Sequence, residues 1–115
     1  MGVNNLIGWE ARAAFTLLAF AFIGCAPVRN PSLQRARDAY ERARQDPEVV
    51  GRAAVALDKA RLSLEQAERA WNTEKDATEA EHLAYIAEKR VEIARVTARR
   101  RLATDEILQL KSRPQ

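Results

Sequence analysis

Beyond Asn30, apolar residues recur at spacings of three and four. The first series is Leu33, Ala36, Tyr40 and Ala43. A second runs Val50, Ala53, Leu57, Ala60, Leu64, Ala67 and Trp71. A third runs Ala80, Ala84, Ala87, Val91, Ala94 and Ala98, flanked by Leu83, Ile86 and Ile93. This seven-residue recurrence puts one apolar stripe on each of three helices. No segment alternates with period two for long enough to argue a strand, so the pattern predicts an all-α fold.

Breaks in the stripes set the helix limits. Asn30-Pro31 and Asp46-Pro47 each pair an N-cap residue with a proline at the first helical position. Proline inside a helix would remove a hydrogen bond and clash with the preceding turn. The predicted helices are therefore 31–45 and 47–72, with Gly51 adding slack near the start of the second. The stretch NTEKD, 72–76, lacks apolar residues. Asp76 and Glu79 have capping-box spacing there, so a third helix should run from about 76 to 110 and leave 111–115 frayed. Short connections make neighbours antiparallel. Helices two and three should form a coiled-coil-like hairpin, with the shorter first helix folded back against its base.

Composition changes this picture in one respect. Alanine supplies most of the apolar content of the helical region, so the core should be thin and the helices close. Self-association could supply further burial. Opposite charges four apart, such as Asp38/Arg42, Glu48/Arg52, Glu65/Arg69 and Arg101/Asp105, suit a solvated surface.

The N-terminal segment differs in kind. Residues 13–28 carry no charge, and all three phenylalanines lie before the single cysteine, Cys25. One cysteine excludes an intramolecular disulfide. A membrane span needs about 20 apolar residues, and this window is shorter and contains Pro27. A buried core helix is a second possibility, although the run has no polar face. A secretory signal needs a positive start, an apolar stretch and a small residue before the cut. Arg12, Ala13–Ile23 and Gly24 meet that description, with Glu10 as a departure.

Phe22-Ile23-Gly24-Cys25 resembles the bacterial lipobox, with Phe22 standing where leucine is usual. The resemblance implies cleavage between Gly24 and Cys25 and acylation of Cys25 by a diacylglycerol and an N-acyl chain. Residues 1–24 are then the signal peptide and 25–30 a lipidated tether. Two or more acyl chains hold a protein stably where one does not. Ala26, in place of aspartate, implies sorting to the outer membrane in proteobacteria. An uncleaved inner-membrane signal anchor presenting the same coiled coil is the alternative.

The segments LDKARLSLEQA (57–67) and AEHLAYIAEKRVEIA (80–94) carry a further resemblance. They are similar to the alanine-rich helical family called domain of unknown function 4398, over about 31–103. The resemblance implies a bacterial envelope lipoprotein and carries no established activity. Many relatives continue into an OmpA-like peptidoglycan-binding domain. The sequence given ends at Gln115, so binding by that route is not implied.

Candidate chemistry is sparse. No nucleophile–base–acid arrangement and no glycine-rich phosphate loop can be assembled, so the expectation is a non-enzyme without a soluble cofactor. The sole histidine, His82, has Glu79 on its face, but two ligands make a weak metal site, and none is expected. Trp71, near the hairpin tip, is the candidate partner contact. The stretch 89–115 holds eight Lys/Arg against three acids. Within it Arg95, Arg99, Arg100 and Arg101 are candidate contacts for an anionic membrane surface, because the hairpin would return them toward the lipidated end. Export argues against nucleic acid as the partner. The expected location is the outer membrane, periplasmic face.

Overall fold

The computed structural model describes residue 24 and residues 28–114. Four helices account for nearly all of it: α1 (Pro31–Arg44), α2 (Pro47–Arg52), α3 (Ala54–Arg69) and α4 (Ala77–Ser112). There is no strand among the described residues. Phe22, Ile23 and Cys25 of the lipobox-like segment, with the expected acylation site, lie outside them, and Gly24 is exposed.

The three caps foreseen from sequence all form. The Asn30 side chain accepts from the Leu33 amide at 3.1 Å, Asp46 from Glu48 at 3.0 Å and Asp76 from Glu79 at 2.9 Å. Each satisfies an amide that the first helical turn leaves without a partner. Asn30 is itself buried, so its cap is part of the packed body.

The predicted second helix is interrupted. Ala53, at φ −135° and ψ 35°, separates α2 from α3. The break shifts the stripe by one residue. Val49 is buried and Val50 is 45% exposed, opposite to the expectation for Val50. Gly51 keeps a negative φ, and a Cβ there would meet nothing within 4 Å, so the break does not depend on it. It is held instead by Arg101, whose guanidinium donates to the Arg52 carbonyl. α3 closes with a widened turn over Ala70–Glu74. There the Ala70 carbonyl accepts from both Lys75 and Asp76, and Lys75 adopts left-handed geometry at φ 58°.

Packing corrects the placement of α1. Leu33 and Ala36 pack with Leu64, Ala67, Ala84 and Ala87, beside the hairpin tip. Ala43 packs with Val49, Ala53, Leu57, Val91, Ala94 and Ala98 at the other end. The two-residue link Gln45-Asp46 reverses the chain, so α1 lies along the hairpin, antiparallel to α3 and parallel to α4. The molecule is an up-down-up three-helix bundle: the predicted antiparallel hairpin of α3 and α4 forms, and α1 lies along its length rather than only at its base. Asn30, where any N-terminal tether joins, sits at the tip end.

Alanine makes this geometry possible. All six predicted positions of the third stripe, Ala80 to Ala98, are buried. Small side chains bring helix backbones together, but each buries little apolar area. Leu33, Val49 and Val91 are the largest fully buried apolar side chains.

Candidate functional site

Polar contacts between helices cluster at three levels. Near the tip, Arg37 Nε of α1 donates to Glu68 of α3 at 2.7 Å. At mid-bundle, Arg90 donates to the buried Ser63 hydroxyl at 2.6 Å and to the Lys59 carbonyl at 3.3 Å. At the far end Arg52 binds Glu48 at 2.5 Å and also pairs with Asp105 of α4. Those two carboxylates, Glu48 first, raise the Arg52 pKa, so the guanidinium is firmly charged. These contacts fix the helices against each other.

The charge pairs differ from the simple i,i+4 expectation. Glu48–Arg52 forms. Glu65 pairs with Arg61, Asp38 accepts from Gln34, and Asp105 turns to Arg52 rather than Arg101. Nearby donors in the same helix, or across it, win over the expected partner.

The proposed arginine cluster does not form one patch. Successive residues turn by about 100° around a helix, so Arg95 and Arg99 point one way, Arg100 another and Arg101 a third. All four are exposed, and Arg101 is directed at the Arg52 carbonyl. All four lie toward the far end of the bundle, because α4 runs away from Asn30. The expectation that the hairpin returns them to the lipidated end is therefore reversed: with α1 parallel to α4, the tether and these arginines occupy opposite ends.

Trp71 is partly buried in the widened turn, against the cluster that contains Leu33 and Leu64. His82 is exposed on the first turns of α4. Among the described residues no three His, Cys, Asp or Glu side chains converge to hold a metal ion. No helix among them is long and apolar enough to cross a membrane.

Two apolar features were missed in sequence. A groove of about 440 Å³ between α3 and α4, on the side away from α1, is floored by Ala53, Val55, Ala56 and Ile93 and edged by Lys59 and Arg90. Beyond Asp105, α4 projects past the start of α2, leaving Ile107, Leu108 and Leu110 more than half exposed. Part of their signal was present in the chain: Ile93, Ile107 and Leu110 lie about 120–180° from the alanine stripe of α4.

The fold and its contacts define an alanine-packed helical bundle. A family model described as domain of unknown function (DUF4398) matches residues 31–110, and the chain belongs to that family. The match spans the bundle from the first residue of α1 to the projecting end of α4. No curated protein and no solved structure is significantly similar to the chain.

Proposed function

We propose that the protein is a bacterial outer-membrane lipoprotein whose bundle is a periplasmic structural or protein-interaction module. The observation that carries this is the seam at Gly24-Cys25, where an uncharged segment ends in a lipobox-like sequence just before a capped, charged bundle. Cys25 carries the acyl chains, and the described tether from Val28 to Asn30 is exposed until the cap residue. The anchor then holds the tip end of the bundle, with Trp71 nearby as the candidate partner contact. The module acts by binding and spacing, without catalysis and without a cofactor besides its covalent lipid.

Density-gradient separation of the two membranes tests this proposal. The wild-type protein should follow the outer membrane, and Cys25→Ser should leave it. A full-length chain that stays with the inner membrane in both forms would overturn the proposal and favour an uncleaved signal anchor. Capture from envelope extracts with wild type and Trp71→Ala should reveal a partner that the variant loses. Equal capture by both would remove Trp71 from the contact.

A further inference from the structure

The outer face of α4 carries a second pattern. Lys89, Arg100 and Lys111 follow each other at intervals of eleven residues, and so do Tyr85, Val96 and Ile107. Eleven residues make about three helical turns with only about 20° of drift, so each set forms an almost straight line. The two lines lie side by side, about 140–220° from the buried alanine stripe. Every one of these residues is exposed, with Tyr85 at 57% and Ile107 at 52%. Ile93 and Leu110 add to the same strip, at 58% and 64% exposed. From Tyr85 to Lys111 it is roughly 39 Å long at about 1.5 Å per residue.

Its charge is one-sided. Glu92 is the carboxylate that reaches the strip, and Lys89 holds it at 3.1 Å. Lys89 also lies 5.5 Å from the centre of the Tyr85 ring. Glu88 and Glu106 point about 100° away from the central line. Apolar side chains and cations on one straight face are the pattern of a helix that lies in a membrane interface.

We propose that this strip of α4 lies on an anionic phospholipid surface. A second copy fits it poorly. Because the cations repeat at equal intervals, pairing two strips antiparallel about Arg100 sets Lys89 against Lys111 and Arg100 against itself. A parallel pairing opposes all three with their own kind. The eleven-residue spacing of the strip also does not suit a left-handed coiled-coil partner, which would follow a seven-residue repeat. The strip begins near the tip, where the tether joins, and runs away from it. A tethered bundle can therefore lie down along the bilayer on α4 or stand clear of it, and the lipid charge selects between the two. The proposal rests on the lipoprotein reading only in that a tether keeps the bilayer close.

The test uses the full-length chain with Ile107→Cys, labelled with a polarity-sensitive dye and reconstituted in vesicles. The parent chain, carried through the same labelling, supplies the baseline for Cys25, and its intact mass reports acylation independently of the strip. In phosphatidylglycerol vesicles the dye at 107 should move to an apolar environment, and in phosphatidylcholine it should remain in water. Replacing Lys89, Arg100 and Lys111 by Gln should shift the balance toward the lifted state by about a hundredfold, at about fivefold per cation near the surface. A dye that stays in water in both lipids overturns the proposal. So does a shift that ignores lipid charge and grows with protein density, which would instead indicate contact between copies.

Discussion

Leu33→Ala is the substitution that should reveal how thin this core is. Leu33 is 1% exposed and packs against Ala36, Leu64, Ala67, Ala84 and Ala87. Leucine-to-alanine changes in cores cost about 2–5 kcal/mol, more where the neighbours cannot collapse into the space. Four of the five buried neighbours are alanines, which have no side-chain torsion with which to fill it, while Tyr40, Trp71 and Leu83 pack against the cluster from its edge. The cost should therefore fall at about 3–4 kcal/mol, inside that range. A bundle of this size has a total stability of about 4–12 kcal/mol. The variant would lose a quarter or more of it. Urea unfolding of the unlipidated mature chain, followed by helical circular dichroism, measures the change. With a slope of about 1.5 kcal/mol per molar, the midpoint should fall by about 2 M. Leu110→Ala serves as the control, since Leu110 is 64% exposed and should change stability by less than about 0.5 kcal/mol. Equal effects from the two substitutions would mean that α1 does not dock its start against the tip end, and the up-down-up arrangement would fall with it.

Three other outcomes are expected. Ala94→Leu, at a fully buried position between the helices, should destabilise by about 1–3 kcal/mol, because overpacking forces the backbones apart. A neutral result in the same urea assay would show that the helices do not approach closely there. Gly51→Ala should stabilise by about 0.4–1 kcal/mol, since the backbone is helical and the added Cβ meets nothing within 4 Å. A loss of stability would show that the break at Ala53 needs Gly51. Glu41 has its pKa lowered, first by its hydrogen bond from Arg44 and then by that from Gln45. A carboxylate lowered on folding contributes stability above its unfolded pKa, and this contribution is lost as pH falls through the folded value. Glu41→Gln should therefore flatten the acid limb of stability against pH, below the ordinary carboxylate range. Identical limbs in the two proteins would remove Glu41 from the acid response.

The sequence made much of this legible, and its failures have physical causes. The buried stripe of α4 could be read residue by residue, because one uninterrupted helix keeps its period from Ala80 to Ala98. The caps were legible because Asn and Asp before a helix start act through their nearest amides. Val49 was missed in favour of Val50, because the irregular backbone at Ala53 moves the buried position by one residue, which no periodicity announces. α4 continues through Ser112, within two residues of the limit read from the sequence. The course of α1 depends on packing at a distance, between Leu33 and residues such as Ala84. That contact reverses where the arginines of α4 sit relative to the tether. The outer strip of α4 was obscured for a related reason. Apolar residues on two opposite faces cancel as a pattern, and only the buried alanines separate them.

The central claim is that Cys25 is the anchor, and intact mass of the protein extracted from membranes tests it most directly. The account predicts a chain that begins at Cys25 and carries added acyl mass, with neither feature in Cys25→Ser. An unmodified chain that retains residues 1–24 in both proteins would contradict it.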